Sequence, residues 1–157
     1  MPHKNPAWTL AVGAALVVIA DQFSKAVILR TKIPVTKNAG VAFGLPAPEV
    51  LLYLLVGIIL VVGAWVWRKK SAEVRARYAL PVGLIAGGAL SNIVDRVLRG
   101  GVVDFIDLKV WPAFNLADTA IVIGSLLLVW YAWRTSPKNT SHVQPGGRSA
   151  FRNRKNT

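Results

Sequence analysis

Apolar residues in this chain come in long blocks rather than in alternation. Four blocks stand out, at about 8–29, 49–67, 78–98 and 116–133. Each is close to the ~20 residues that a helix needs to cross a hydrocarbon core. Spanning strands would be shorter and would alternate in polarity. The pattern therefore predicts an all-α membrane protein with four transmembrane helices, occupying residues 1–133. Between the first two blocks lies "TKIPVTKNAGVAFGLPAP". Val35, Val41 and Phe43 around a turn at "NAG" predict short strands there, although a plain hairpin loop reads equally well. "RGG" at 99–101 marks a turn after the third block, and "WP" at 111–112 marks a break before the fourth.

Charge turns this pattern into a topology. Lys4 precedes the first block, the loop "RKKSAEVRAR" carries five basic residues, and the chain from Arg134 onward carries six. The opposite side holds Arg30, Lys32, Lys37, Arg99 and Lys109. The positive-inside bias then puts both termini and the 68–77 loop in the cytoplasm. Trp8, Trp65, Trp67, Trp130 and Trp133 lie at or near block ends, as in an interfacial aromatic belt. Residues 134–157 are polar, basic and rich in Pro, Gly, Ser and Asn, which predicts a disordered tail lying on anionic lipid. The net charge of +12 would point to nucleic acid in a soluble protein. Here the charges sit at membrane boundaries, and the tail lacks aromatic stacking residues, so no nucleic-acid partner is expected. "LAVGAALVVIA" before Asp21 has the look of a cleaved signal peptide, but the apolar block resumes through "AVIL".

The polar residues inside the blocks then fall at one depth. Asp21 and Lys25 lie near the outer end of the first helix. Asn92, Asp95 and Arg96 lie near the outer end of the third, and Asn115 and Asp118 at the outer start of the fourth. Asp21 and Lys25 are four apart with the acid first, the favourable order for a helical ion pair. Gly88, Asn92 and Arg96 share one helical face, and Ser91 and Asp95 form a parallel row. Asp95 is expected to support another helix. For Arg96, orienting a backbone carbonyl or pairing with Asp118 or Asp95 are open alternatives. The glycines of "GLIAGGALSN" predict close helix packing.

Composition then narrows the chemistry. The chain has no cysteine, which excludes disulfides and thiol chemistry, and its two histidines, His3 and His142, lie near the ends. No metal and no cofactor are expected. Only seven acidic residues are present, yet Asp104, Asp107 and Asp118 all fall within "VVDFIDLKVWPAFNLADTA". Asn115 and Asp118 fit a variant of the capping box, which explains Asp118 by helix capping alone. It does not explain Asp104, set in apolar "VVDFI". The short linker allows Asp104 to fold back toward Asp118. Two carboxylates in a poorly hydrated site share a proton, the arrangement with which aspartic proteases activate water. The competing class is a small ion- or proton-translocating protein using Asp21, Asp95 and Asp118. It predicts polar residues continuing into the cytoplasmic half, where the blocks carry no charge.

Four segments together resemble the bacterial lipoprotein signal peptidases (signal peptidase II), a family of intramembrane aspartic peptidases. They are "DQFSK" at 21–25, "NAGVAFG" at 38–44, "GGALSNIVDR" at 87–96 and "GVVDFID…WPAFNLADTAI" at 101–121. The resemblance implies a small extracytoplasmic sheet between the first and second helices that cradles substrate. It implies Asp104 and Asp118 as the catalytic pair. Asn38, Gly40, Asn92, Arg96 and Asn115 correspond to residues lining the substrate site, and Asp21 and Lys25 to positions supporting the fold and its active state. The implied reaction cleaves signal peptides from diacylglyceryl-modified prolipoproteins, just before the lipidated cysteine. The implied setting is the bacterial cytoplasmic membrane, with lipids and lipidated prolipoproteins as partners and a monomer as the working unit. Ser91 stands where glycine is common in the family; serine is small and can bond within the helix, so little effect is expected.

Overall fold

The computed structural model describes residues 5–38, 58, 61 and 63–135. Helix α1 spans Pro6–Ile28. It starts ahead of the apolar block because Asn5 caps it: the Asn5 side chain accepts the Ala7 N–H at 3.0 Å. Pro6 at the first helical position has no N–H to leave unsatisfied. A helical stretch at 63–68, α2, is the part of the second apolar block that falls largely within the described residues. Helix α3 spans Ala72–Arg99 and begins six residues before its apolar block. Ser71 caps it, with Glu73 in the first turn where the helix dipole favours an acid. It ends at Gly100, whose φ of 67° is the left-handed conformation that glycine adopts at least cost. Helix α4 spans Leu116–Thr135. Helices α1, α3 and α4 are each long and apolar enough to cross a membrane.

Helix α3 is the centre of the bundle and packs along both α1 and α4, which touch each other little. Glycines permit this. A Cβ on Gly83 would lie 2.6 Å from Leu10 O, and one on Gly87 2.6 Å from Ala14 O, both on α1. On the other side, a Cβ on Gly88 would run into Ala117 O and lie 2.7 Å from Ile121 Cγ1, both on α4. The backbones thus meet directly, as small residues allow between membrane helices.

The distribution of polarity suits lipid as solvent. Trp8, Phe23, Val97, Leu98, Leu126 and Trp133 face outward, whereas Asp21, Lys25, Ser91, Asn92, Asp95, Asp104 and Asn115 are buried. In a bilayer, apolar surface gains nothing by leaving the lipid, but polar groups must be satisfied internally.

The sheet differs from the sequence expectation. Strand β1, Thr36–Asn38, lies between the first and second blocks as predicted. Its partner is β2, Val102–Asp104, from the linker between α3 and α4. They pair antiparallel, with Thr36 opposite Asp104 and Asn38 opposite Val102. The strands expected at Val41 and Phe43, and Gly40 between them, lie outside the described residues. So do most of the 49–67 block and the tail beyond residue 135. After β2 the chain loops out and returns, with Ile106 and Phe114 exchanging both main-chain hydrogen bonds. That bridge delivers residue 115 to the start of α4.

Candidate active site

The site is assembled from three short pieces: β2, one face of α3 and the first turn of α4. Asp104 ends β2 and is almost fully buried. Asn115 immediately precedes α4. Its side-chain oxygen accepts the Asp118 N–H at 2.9 Å, and its own N–H donates to Asp118 Oδ2 at 3.3 Å. This is the reciprocal capping box expected from "FNLAD", with Asn and Asp in place of the usual Ser and Glu.

The cap also links the two aspartates. With its oxygen spent on the helix, Asn115 turns its NH₂ to Asp104 Oδ1 at 2.7 Å and to Asn92 Oδ1 at 3.2 Å. Asn92 in turn donates to Asp118 Oδ1 at 2.8 Å. A continuous path of hydrogen bonds therefore runs Asp104–Asn115–Asn92–Asp118. Burial pushes the Asp104 carboxyl up to about 6, and the Asp118 charge pushes in the same direction. Hydrogen bonds from Asn115 and Asn38 and the Lys25 charge oppose the rise. Asn38 reaches Asp104 because β1 runs beside β2. Arg96 donates to Asn92 O at 3.2 Å, one turn back on its own helix.

A second cluster lies beside the first, on the face of α3 that meets α1. Lys25 Nζ is 2.6 Å from Asp21 Oδ2 and 2.7 Å from Asp95 Oδ2. Ser91 Oγ donates to Asp21 Oδ2 at 2.7 Å, across to the facing helix rather than within its own. A carboxylate on the facing helix is the stronger acceptor. Gln22 donates to Asp95 Oδ1 at 2.9 Å and to Ser91 Oγ at 3.0 Å. Arg99 donates to Gln22 Oε1 at 2.8 Å and also pairs with Asp95. The rows 88–92–96 and 91–95 are thus neighbouring stripes, one turned to α4 and the other to α1.

The structure brings Asp104, Asp118, Asn92, Asn115 and Asn38 together. It places Asp21 and Lys25 in the adjoining ionic cluster and leaves Gly40 outside the described residues. The sequence reading overlooked Gln22 and Arg99. Arg99 carries a usable signal, since it follows Asp95 by four residues, the same spacing and order that paired Asp21 with Lys25. Gln22 has only its place three residues before Lys25. Among the described residues, no group of three or more His, Cys, Asp or Glu side chains is placed to hold a metal ion.

Comparison with known proteins assigns the family. A family model described as "Signal peptidase (SPase) II" matches residues 13–134. The lipoprotein signal peptidase of Pelotomaculum thermopropionicum is 39% identical over 140 residues, covering 80% of this chain and 92% of that protein. The lipoprotein signal peptidase of Syntrophomonas wolfei subsp. wolfei is 41% identical over 130 residues, covering 73% of this chain and 85% of that protein. A solved structure described as "Bacterial membrane enzyme structure by the in meso method at 2.3 A resolution" superposes with a TM-score of 0.71 at 30% identity, covering 87% of this chain and 94% of that one. By sequence over most of its length and by fold, this chain belongs to the signal peptidase II family.

Proposed function

We propose that this peptidase cleaves the signal peptide of diacylglyceryl-modified prolipoproteins just before the lipidated cysteine, using Asp104 and Asp118 to activate water. The observation that carries the reading is the buried path Asp104–Asn115–Asn92–Asp118. Two rigid amides keep the carboxyls in register, and the high affinity of Asp104 for a proton supports a pair that holds one proton between its two members.

Asp118 sits in the first turn of α4, where the helix dipole favours an anion. It acts as base: it takes a proton from water, and the resulting hydroxide attacks the scissile carbonyl carbon. Asp104 gives its proton to the carbonyl oxygen, forming a gem-diol. On collapse the C–N bond breaks, the leaving nitrogen takes the proton from Asp118, and Asp104 recovers one from a gem-diol hydroxyl. Asn38, Gly40, Asn92, Arg96 and Asn115 line the substrate site, and Asp21 and Lys25 hold the fold in its active state.

The full architecture has a fourth span at 49–67, both termini in the cytoplasm and the site at the outer face of the membrane. Support comes from the helix ends. The described polar clusters use the C-terminal parts of α1 and α3 and the N-terminal start of α4. One interfacial depth suits hydrolysis, because water and an unwound peptide bond are both available there. An ion path would need such groups to continue through the bundle.

The test is incubation of the purified protein with a diacylglyceryl-modified prolipoprotein and mass spectrometry of the products. A released signal peptide ending one residue before the lipidated cysteine is the expected result. Asp104→Asn and Asp118→Asn should fold and leave substrate uncut. Normal turnover by either removes that residue from the mechanism. Proton flux in liposomes without any cleavage would favour translocation.

A further inference from the structure

The buried ionic cluster does more than neutralise itself. Asp21, Lys25 and Asp95 are wholly shielded from solvent, and one ammonium joins the two carboxylates. Each carboxylate also accepts a main-chain N–H from a different element. Asp21 Oδ1 takes the Ala117 N–H of α4 at 3.0 Å. Asp95 Oδ2 takes the Val103 N–H of β2 at 3.1 Å. Ala117 is the residue before Asp118, and Val103 is the residue before Asp104.

Local structure makes both amides available. Val103 sits between Val102 and Asp104 in a strand whose partner is β1. Main-chain groups alternate in direction along a strand, and the Val103 N–H turns away from β1, toward α3. The Ala117 N–H belongs to the first turn of α4, which has no helical carbonyl to receive it. Asn115 serves the Asp118 N–H instead, so Ala117 needs an acceptor from elsewhere. Asp21 supplies it from α1.

We propose that Asp21 and Asp95, bridged by Lys25, are positioning residues for the reaction: they clamp the main chain one residue ahead of Asp118 and Asp104 and so set the separation across which that pair works. The inference rests on Asp104 and Asp118 being the reacting groups. The pair comes from two elements joined by a looped-out linker, whose ends are tied by the Ile106–Phe114 bridge and by the Asn115 side chain. The cluster adds a hold on the main chain beside each aspartate, because α1 reaches α4 through Asp21, α3 reaches β2 through Asp95, and Lys25 holds both carboxylates. A neutralised ion pair alone would need neither amide. Gln22 and Arg99 complete the device by occupying Asp95 Oδ1, which leaves Oδ2 for Lys25 and Val103.

Asparagine and leucine separate the clamp from the charge. Asparagine loses the charge but keeps one oxygen for the amide, whereas leucine keeps neither. The full chain is purified in lipid or detergent as Asp21→Asn, Asp21→Leu, Asp95→Asn and Asp95→Leu, with kcat, KM and thermal unfolding measured on a lipidated prolipoprotein. Leucine variants that fold should lose about 100-fold in kcat with KM within about twofold, since a displacement of about 1 Å at a reacting group costs that much. The asparagine variants should keep at least about a tenth of kcat. Should a leucine variant fail to fold, the asparagine variants decide alone. Retained kcat without the charge supports the clamp, and a loss of about 100-fold at both sites overturns it. Wild-type kcat in a folded leucine variant also overturns it, as does a change confined to KM. Asp104→Asn and Asp118→Asn are run alongside. Normal turnover by either overturns the catalytic reading and this inference with it, whereas inactive Asp→Asn controls beside an active Asp95→Leu sink the inference alone.

Discussion

Asp104 concentrates the conflict between stability and chemistry at a single residue. Its carboxyl is raised from the ordinary 3.8 to about 6, first by burial and then by the Asp118 charge. Between those values the folded state binds more protons than the unfolded chain. The stability that the protonated carboxyl contributes is therefore lost as pH rises through this window and stays lost above it. Asp104→Asn cannot ionise, so its stability relative to wild type should improve by about 1–3 kcal/mol between about pH 4 and about pH 8. Thermal unfolding at the two pH values measures that difference, and a constant offset would contradict it. Removing the neighbouring charge should act on the same group. In Asp118→Asn the Asp104 carboxyl should titrate below about 6 while staying above 3.8, because its burial remains. An NMR titration of a labelled Asp104 reads this directly. At this scale the sequence was informative. The apolar "VVDFI" around Asp104 signalled a buried acid, and "FNLAD" spelled out the cap. What it lacked was the route between the two aspartates, because Asn115 and Asn92 lie 23 positions apart and meet only once α3 and α4 pack.

Helix α3 shows how an element can carry two unlike faces. Asn92 turns toward α4 and the site, while Ser91 and Asp95 turn toward α1 and the ionic cluster. Both contacts need the backbones to meet, and the glycines make that possible. Gly87→Ala would put a methyl 2.6 Å from Ala14 O and 2.8 Å from Ala14 Cα, main-chain atoms that cannot swing away. It should destabilise the bundle by about 1–3 kcal/mol, the usual cost of overpacking. Gly63→Ala is the matched control: among the described residues nothing lies within 4 Å of its Cβ, so it should be neutral or slightly stabilising. Apparent melting temperatures in detergent should separate the two. The helices themselves were readable from apolar runs, but their starts were not. Asn5 and Ser71 set those starts through single capping bonds, ahead of the apolar residues. The sheet was half legible. A strand near Val35 was expected, but pairing Thr36–Asn38 with Val102–Asp104 joins segments more than sixty residues apart, for which no local pattern exists.

For the whole molecule, the absence of cysteine gives a clean handle on the proposed topology. Lys32→Cys should react with a membrane-impermeant maleimide in intact cells, whereas Lys70→Cys should react only after the membrane is opened; the reverse pattern would invert the orientation. Deleting residues 138–157 should leave cleavage intact, because the described site draws on residues no later than Asp118. Much of this scale is one-dimensional. Run length sets which segments can cross a bilayer, and the proposed direction and depth are read from loop charge and from position along each run. These follow from the cost of moving charge and bare peptide groups into hydrocarbon, which local composition records in full. Which carboxylate accepts which amide is a different kind of fact. It depends on how far each helix is rotated about its axis and how closely glycines let the backbones approach. Only the packed bundle sets those two quantities, so the Asp21–Lys25–Asp95 cluster and its hold on Val103 and Ala117 became visible only in three dimensions.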